Sequence, residues 1–80
     1  MGHHYPLNES WSKQEIVDVV RFFSVIEKYY EQTVANNEIL AAYKRFQEIN
    51  PAKSEKKTYF KEFEAASGYK VFPVIKQAKE

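Results

Sequence analysis

The residues that most resemble a chemical site are three pairs of carboxylates at short spacing. They are Glu15 with Asp18, Glu27 with Glu31, and Glu62 with Glu64. A general acid and a general base need burial or a charged neighbour to move their pKa values apart. Carboxylates on an exposed helix face have neither, so we expect these pairs to be solvated and assign no catalytic residue.

The sequence also has few residues suited to metal binding, phosphate binding or nucleophilic catalysis. His3 and His4 are adjacent, which is poor ligand geometry, and a metal site needs further ligands with their own supporting contacts. The absence of cysteine excludes disulfides, thiolate zinc sites and cysteine nucleophiles. Gly2 and Gly68 are too few for a phosphate-binding loop. The sequence therefore predicts a protein that is not an enzyme and has no cofactor or metal.

A basic segment in the second half of the chain is the one local oddity. If Ser54 caps a helix, Lys56 and Lys57 oppose the helix dipole in its first turn. The functional interpretation is a basic rim that binds nucleic acid or another polyanion, and the alternative is a solvated face balanced by nearby glutamates. Residues 55–67 contain no Arg, Asn or Gln, and the net charge is only +1, which disfavours specific groove readout. The residues of this candidate rim are Arg45, Lys53, Lys56, Lys57 and Lys61.

Thirteen aromatic residues in 80 exceed what so small a core can hide. Tyr and Trp are enriched where proteins bind each other, although they also cover cores with their polar ends in water. The leading hypothesis is a non-enzymatic accessory domain that binds an unknown protein partner, with nucleic acid as the alternative and a homodimer possible. The aromatic residues expected to be partly exposed are Tyr5, Trp11, one of Tyr29 and Tyr30, and Tyr69.

The elements that must position these residues are helical. Ser12 and Glu15 match a capping box, and Trp11 and Ile16 match a hydrophobic staple, which predicts a first helix over 13–32. Its apolar residues recur every three or four positions, with Tyr30 among those facing inward. No apolar run approaches the roughly 20 residues that span a bilayer. We expect one all-α domain over 1–80, a compact small helical bundle with an irregular arm over 1–11.

Three further helices complete this prediction. The second covers 38–49, and Asn36 or Asn37 is its expected cap. The third begins between Pro51 and Glu55, capped by Asn50 or Ser54, and stops at Gly68. A short fourth helix near 72–79 directs Val71, Val74, Ile75 and Ala78 inward.

Three blocks of the sequence resemble a known family. They are Tyr5-Pro6-Leu7 and Ser10-Trp11-Ser12 with residues 15–23; Ala42 to Phe46 with Pro51, Lys53 and Lys57; and Phe60 to Glu64 with Ala66-Ser67-Gly68-Tyr69. The resemblance is to uncharacterised protein family 0223, small proteins of low-GC Gram-positive bacteria. It implies a compact all-helical domain in a bacterial cytoplasm. It implies no activity and supplies no site residues.

Overall fold

Four α-helices form the part of the chain that the structure, a computed structural model, describes, which is residues 9–79. They are α1 (Lys13–Glu31), α2 (Asn36–Ile49), α3 (Lys53–Ser67) and α4 (Phe72–Lys79). No strand occurs in that range. The fold is therefore compact and all-α, as predicted, while most of the expected arm lies outside the described residues.

The first helix begins where the capping pattern places it. The Ser12 hydroxyl accepts a hydrogen bond from the Glu15 N–H at 3.2 Å. The Ser12 N–H donates to the Glu15 carboxylate at 2.8 Å. The backbone N–H groups of Ser12 and Glu15, which have no partner within the helix, are therefore both satisfied. Nineteen residues at about 1.5 Å each give a rod of about 28 Å. This nearly matches the longest dimension of the molecule, 32 Å.

The predicted caps of α2 and α3 are wrong. The N-cap residues are Ala35 and Ala52, and neither makes a side-chain capping bond. The Asn36 side chain instead accepts a hydrogen bond from the Gln77 amide at 3.2 Å, which ties α2 to α4. Asn50 is buried at the end of α2. A tertiary contact therefore occupies the Asn36 side chain, which was expected to cap α2 locally.

Five phenylalanines form the centre of the core, each at most 3% exposed. Phe22 stacks on Phe46 at 4.8 Å between ring centroids, which joins α1 to α2. Phe23 stacks on Phe63 at 4.7 Å, which joins α1 to α3. Phe60 stacks on Phe46 at 5.4 Å and closes the cluster. The long first helix is thus packed against two partners, as its broad apolar stripe predicted.

Two residues that the helical spacing assigns to that stripe face outward: Val17, which was expected to widen it, and Tyr30, which was expected within it. Val17 is 55% exposed and Tyr30 is 41% exposed. The Tyr30 ring stacks on Tyr69 at 4.8 Å, and its hydroxyl donates to the Lys70 carbonyl at 2.6 Å. Tyr30 therefore contacts the connector between α3 and α4, residues 68–71, rather than the core.

The fourth helix has the predicted bounds and orientation. Val71, Val74, Ile75 and Ala78 are all buried. Pro73 lies in the first turn, where its missing N–H breaks no helical bond. The inward stripe of α4 leaves Phe72, Lys76 and Lys79 on its outer side.

Gly68 ends α3 with a left-handed backbone, φ 81°, as predicted. We expect Gly68→Ala to lower the free energy of unfolding by about 1 kcal/mol, because a Cβ disfavours this conformation. A Cβ here would meet nothing within 4 Å, so the cost comes from the backbone alone. Gly68→Asn should cost less, since Asn tolerates this region better. Denaturant unfolding measures both, and equal stability of Gly68→Ala and the unsubstituted protein would contradict the expectation.

Candidate protein-docking face

One of the six phenylalanines is left out of the core. Phe72 is 55% exposed at the first position of α4, while the other five are buried. Its ring meets the edge of Phe60 at 5.0 Å between centroids, which holds it against the outer side of the core. An anchored but exposed aromatic ring is a typical feature of surfaces that bind other proteins.

Three open clefts adjoin Phe72, so its ring forms a ridge between them. The first, about 540 Å³, lies between α3 and the connector, with Phe60, Val71 and Pro73 among its apolar residues. The second, about 180 Å³, lies toward Tyr43. The third, about 610 Å³, runs from Tyr43 past Pro73 to Ile75. We call this surface, made of Phe72 and the three clefts around it, the Phe72 face.

The charge of the Phe72 face is strongly one-sided. The only carboxylate among the described residues that line it is Glu64. Lys79 sits 5.6 Å from the centre of the Tyr43 ring. Within residues 9–79 no ion pair joins any of its lysines to a carboxylate. The lysines that line it are Lys53, Lys56, Lys57, Lys61, Lys70, Lys76 and Lys79.

The connector that carries Lys70 and leads into Phe72 is held at several points. The Tyr69 N–H donates to the Ser67 hydroxyl at 3.1 Å, just after the turn at Gly68. The Tyr30 hydroxyl holds the Lys70 carbonyl, and the Val71 carbonyl accepts from Val74 and Ile75 at the start of α4. These contacts present the Phe72 face on a fixed backbone.

Arg45, a predicted member of the basic rim, does not line this face. Its Nε donates to the Asp18 carboxylate at 2.7 Å, and its Nη1 donates to Glu48 at 3.4 Å. These bonds place it in a separate groove between α1 and α2, beside Arg21. The other four predicted rim lysines do come together beside Phe72.

The Asp18–Arg45 pair predicts a pH dependence of stability. The hydrogen bond from Arg45, aided by one from Gln14, holds the pKa of Asp18 below its usual value. This stabilisation is complete above the ordinary aspartate pKa of about 3.9 and is lost as the pH falls through the lower folded-state value. We expect Asp18→Asn to flatten the acid side of a pH–stability curve measured by denaturant unfolding. Superimposable curves for the two proteins would contradict this.

The predicted aromatic contacts lie elsewhere. Trp11 is half-buried, with its ring 5.2 Å from that of Tyr59. Tyr69 is half-buried in its stack on Tyr30, and its hydroxyl donates to the Glu31 carboxylate at 3.2 Å. Tyr5 lies outside the described residues. The partial exposure predicted for Trp11, Tyr69 and one of Tyr29 and Tyr30 is confirmed, and the part of these residues in partner binding stays a prediction.

Sequence reasoning missed four residues of the face. They are Phe72, Lys70, Lys76 and Lys79. A usable signal was present, because the inward stripe of α4 turns both Phe72 and the two helical lysines outward. The remaining information is spatial, since the outer side of α3 and the start of α4 meet only in the folded chain.

Other site types are not evident in the described region. Residues 9–79 contain no group of three or more His, Asp or Glu side chains that could hold a metal ion. None of the helices within them is long and apolar enough to cross a bilayer.

Comparison with known proteins places the whole chain in one family. A family model described as "Uncharacterised protein family (UPF0223)" matches residues 2–80. A UPF0223 protein of Oceanobacillus iheyensis is 54% identical over 80 residues, covering 100% of this chain and 91% of that one. A relative from Lysinibacillus sphaericus is 50% identical (100% and 84% covered), and one from Staphylococcus haemolyticus is 47% identical (99% and 88% covered). The chain belongs to the uncharacterised protein family UPF0223.

Proposed function

We propose that this protein is a non-enzymatic interaction domain whose Phe72 face docks an acidic segment of another protein. One observation carries the proposal: Phe72 is 55% exposed on a face lined by seven lysines and one carboxylate. Binding of this kind needs an apolar anchor and complementary charge, and the proposal assigns no catalytic group.

The apolar part of the face provides a driving force for association. Burying apolar surface contributes about 25 cal/mol per Å², and a few aromatic anchors dominate most interfaces. Phe72 already contacts Phe60, so little side-chain entropy is lost when a partner covers it. The clefts on either side of the ring offer room for apolar side chains of the partner.

The charge of the face selects the kind of protein. Lysines around an apolar centre attract carboxylates and repel basic surfaces, which sets specificity and association rate. A symmetric dimer through the same face would bring its seven lysines against their copies. The favoured occupant is therefore an acidic segment rather than a second copy of this chain.

A nucleic acid fits this surface less well. Long polyanions are bound by domains with a large positive balance, whereas this chain has 12 basic and 11 acidic residues. The clefts around Phe72 include Val71, Pro73 and Ile75, which complement an apolar side chain better than a phosphate backbone.

Site-specific photo-crosslinking in a cell lysate tests the proposal. A photoreactive phenylalanine replaces Phe72 in one sample and Val17 in the matched control, because both positions are 55% exposed. We expect a discrete protein adduct from position 72 that survives nuclease treatment and is absent from position 17. Mass spectrometry of the adduct should locate the crosslink in a segment rich in Asp and Glu.

Four outcomes would overturn the proposal. They are an adduct that nuclease removes, an adduct with lipid, an adduct with a second copy of this chain, and labelling at position 72 no stronger than at position 17. A crosslinked protein segment with no excess of carboxylates would also refute the assigned chemistry of the partner.

A further inference from the structure

The walls of the first cleft beside Phe72, between α3 and the connector, limit the conformation of what binds there. One wall is the outer side of α3, where residues spaced by three or four positions run from Ser54 to Glu64. Ten residues of helix span about 15 Å, so the groove has that length. The other wall is the connector with Lys70 and Val71.

Neither wall offers the continuous strand edge with which an extended peptide pairs. Strand addition depends on unpaired N–H and C=O groups along a sheet edge, and residues 9–79 contain no strand. Beyond its first turn, the α3 backbone is bonded within its own helix, beginning with the Lys56 N–H, which donates to the Ala52 carbonyl at 3.1 Å. In the connector, the Lys70 and Val71 carbonyls already accept hydrogen bonds from Tyr30 and from the start of α4. An extended segment would lose the water bound to its backbone without gaining a regular ladder of main-chain partners.

A helical segment avoids that penalty, because it satisfies its own backbone. A 15 Å groove holds about ten helical residues, or nearly three turns. Apolar side chains at i, i+3, i+4 and i+7 form one stripe that can cover a ridge such as Phe72. Carboxylates beside that stripe then face the lysines that project from α3, Lys57 and Lys61.

Building on the proposed function, we infer that the partner segment is an acidic amphipathic helix of about three turns that lies along α3. Its apolar stripe covers Phe72, and its carboxylates meet Lys57, Lys61 and Lys70. An isolated helix of this length is marginal in water. The segment therefore either folds on binding or belongs to a folded domain of the partner.

Selection from a random 16-residue peptide display library tests the inference with no assumed partner. Peptides that bind the unsubstituted protein are selected first. Those that also bind the Phe72→Ser variant are then removed. A parallel depletion on the double variant Lys57→Glu, Lys61→Glu covers the case in which Phe72→Ser fails to fold. The control variant is Val17→Ser, which should still bind every selected peptide. We expect survivors with Asp and Glu around apolar residues at i, i+3, i+4 and i+7.

A proline scan of a selected peptide, made synthetically and labelled for fluorescence anisotropy, then tests its helicity. Proline at a central outward-facing position should weaken binding about 100-fold, whereas alanine at the same position should change it less than about threefold. Phe72-dependent peptides that alternate apolar and polar residues, or tolerate the central proline, would overturn the helix but leave the proposed function standing. A library that yields no Phe72-dependent peptide, or only basic ones, would overturn both.

Discussion

Replacing Phe22 with alanine should lower the free energy of unfolding by about 3–5 kcal/mol. Its ring is fully buried and lies within 6 Å, centroid to centroid, of the rings of Phe23, Tyr43, Phe46 and Phe60. Removing it leaves a cavity at the point where three helices meet. Stabilities of native proteins are only about 5–15 kcal/mol, so this loss is a large share of the total.

Urea unfolding followed by circular dichroism measures the effect, with Phe72→Ala as the matched control. The control removes the same atoms from the one phenylalanine that is exposed, and we expect it to cost less than about 1 kcal/mol. Similar losses for the two variants would mean that the aromatic cluster is not the structural centre of this fold.

Replacing Phe72 with serine should weaken binding of the partner segment about 30-fold while leaving the fold intact. Truncating a central aromatic anchor typically costs 2 kcal/mol or more of binding free energy, and about 1.4 kcal/mol corresponds to tenfold. The measurement is calorimetric titration with a synthetic peptide of the segment crosslinked at position 72. Circular dichroism before titration establishes that the variant is folded.

Val17→Ser is the control for this titration, since it removes an equally exposed apolar side chain from the outer side of α1. We expect it to leave the dissociation constant within about twofold of the original, as for surface residues outside an interface. Equal losses for Val17→Ser and Phe72→Ser would show that binding is non-specific hydrophobic adhesion.

Local sequence signals predicted the fold well where a few neighbouring residues decide the outcome. The start of α1 follows from Ser12 and Glu15, whose side chains and backbones bond each other within one turn. The end of α3 follows from Gly68, because few other residues take its left-handed backbone. The bounds of α4 and its inward face follow from helical spacing alone.

The errors arose where tertiary contacts outweigh local preference. Asn36 has the right chemistry for a cap, but Gln77, 41 residues later, occupies its side-chain oxygen. Tyr30 follows the helical period of the α1 stripe, but at the surface its ring stacks on Tyr69 and its hydroxyl donates to the Lys70 carbonyl. A local sequence pattern does not reveal contacts between residues that lie about 40 positions apart.

The sequence predicted only part of the candidate site. The lysines of α3 stand out in the sequence because four of them lie within residues 53–61. Arg45 was grouped with them by position, yet Asp18 holds it in another groove. Phe72 lies outside the inward stripe of α4, which is the signal for its exposure, but a phenylalanine in a sequence usually indicates core.

The most direct measurement of the docking face is a backbone amide chemical-shift map of the labelled protein titrated with the peptide crosslinked at position 72. We expect the largest shift changes at residues 53–61 and 70–76, with Val17 and its neighbours on α1 unaffected. The changes should shrink at high salt, because exposed lysine–carboxylate contacts are screened. Shift changes centred on the outer side of α1, or on the groove between α1 and α2, would contradict the Phe72 face as the docking site.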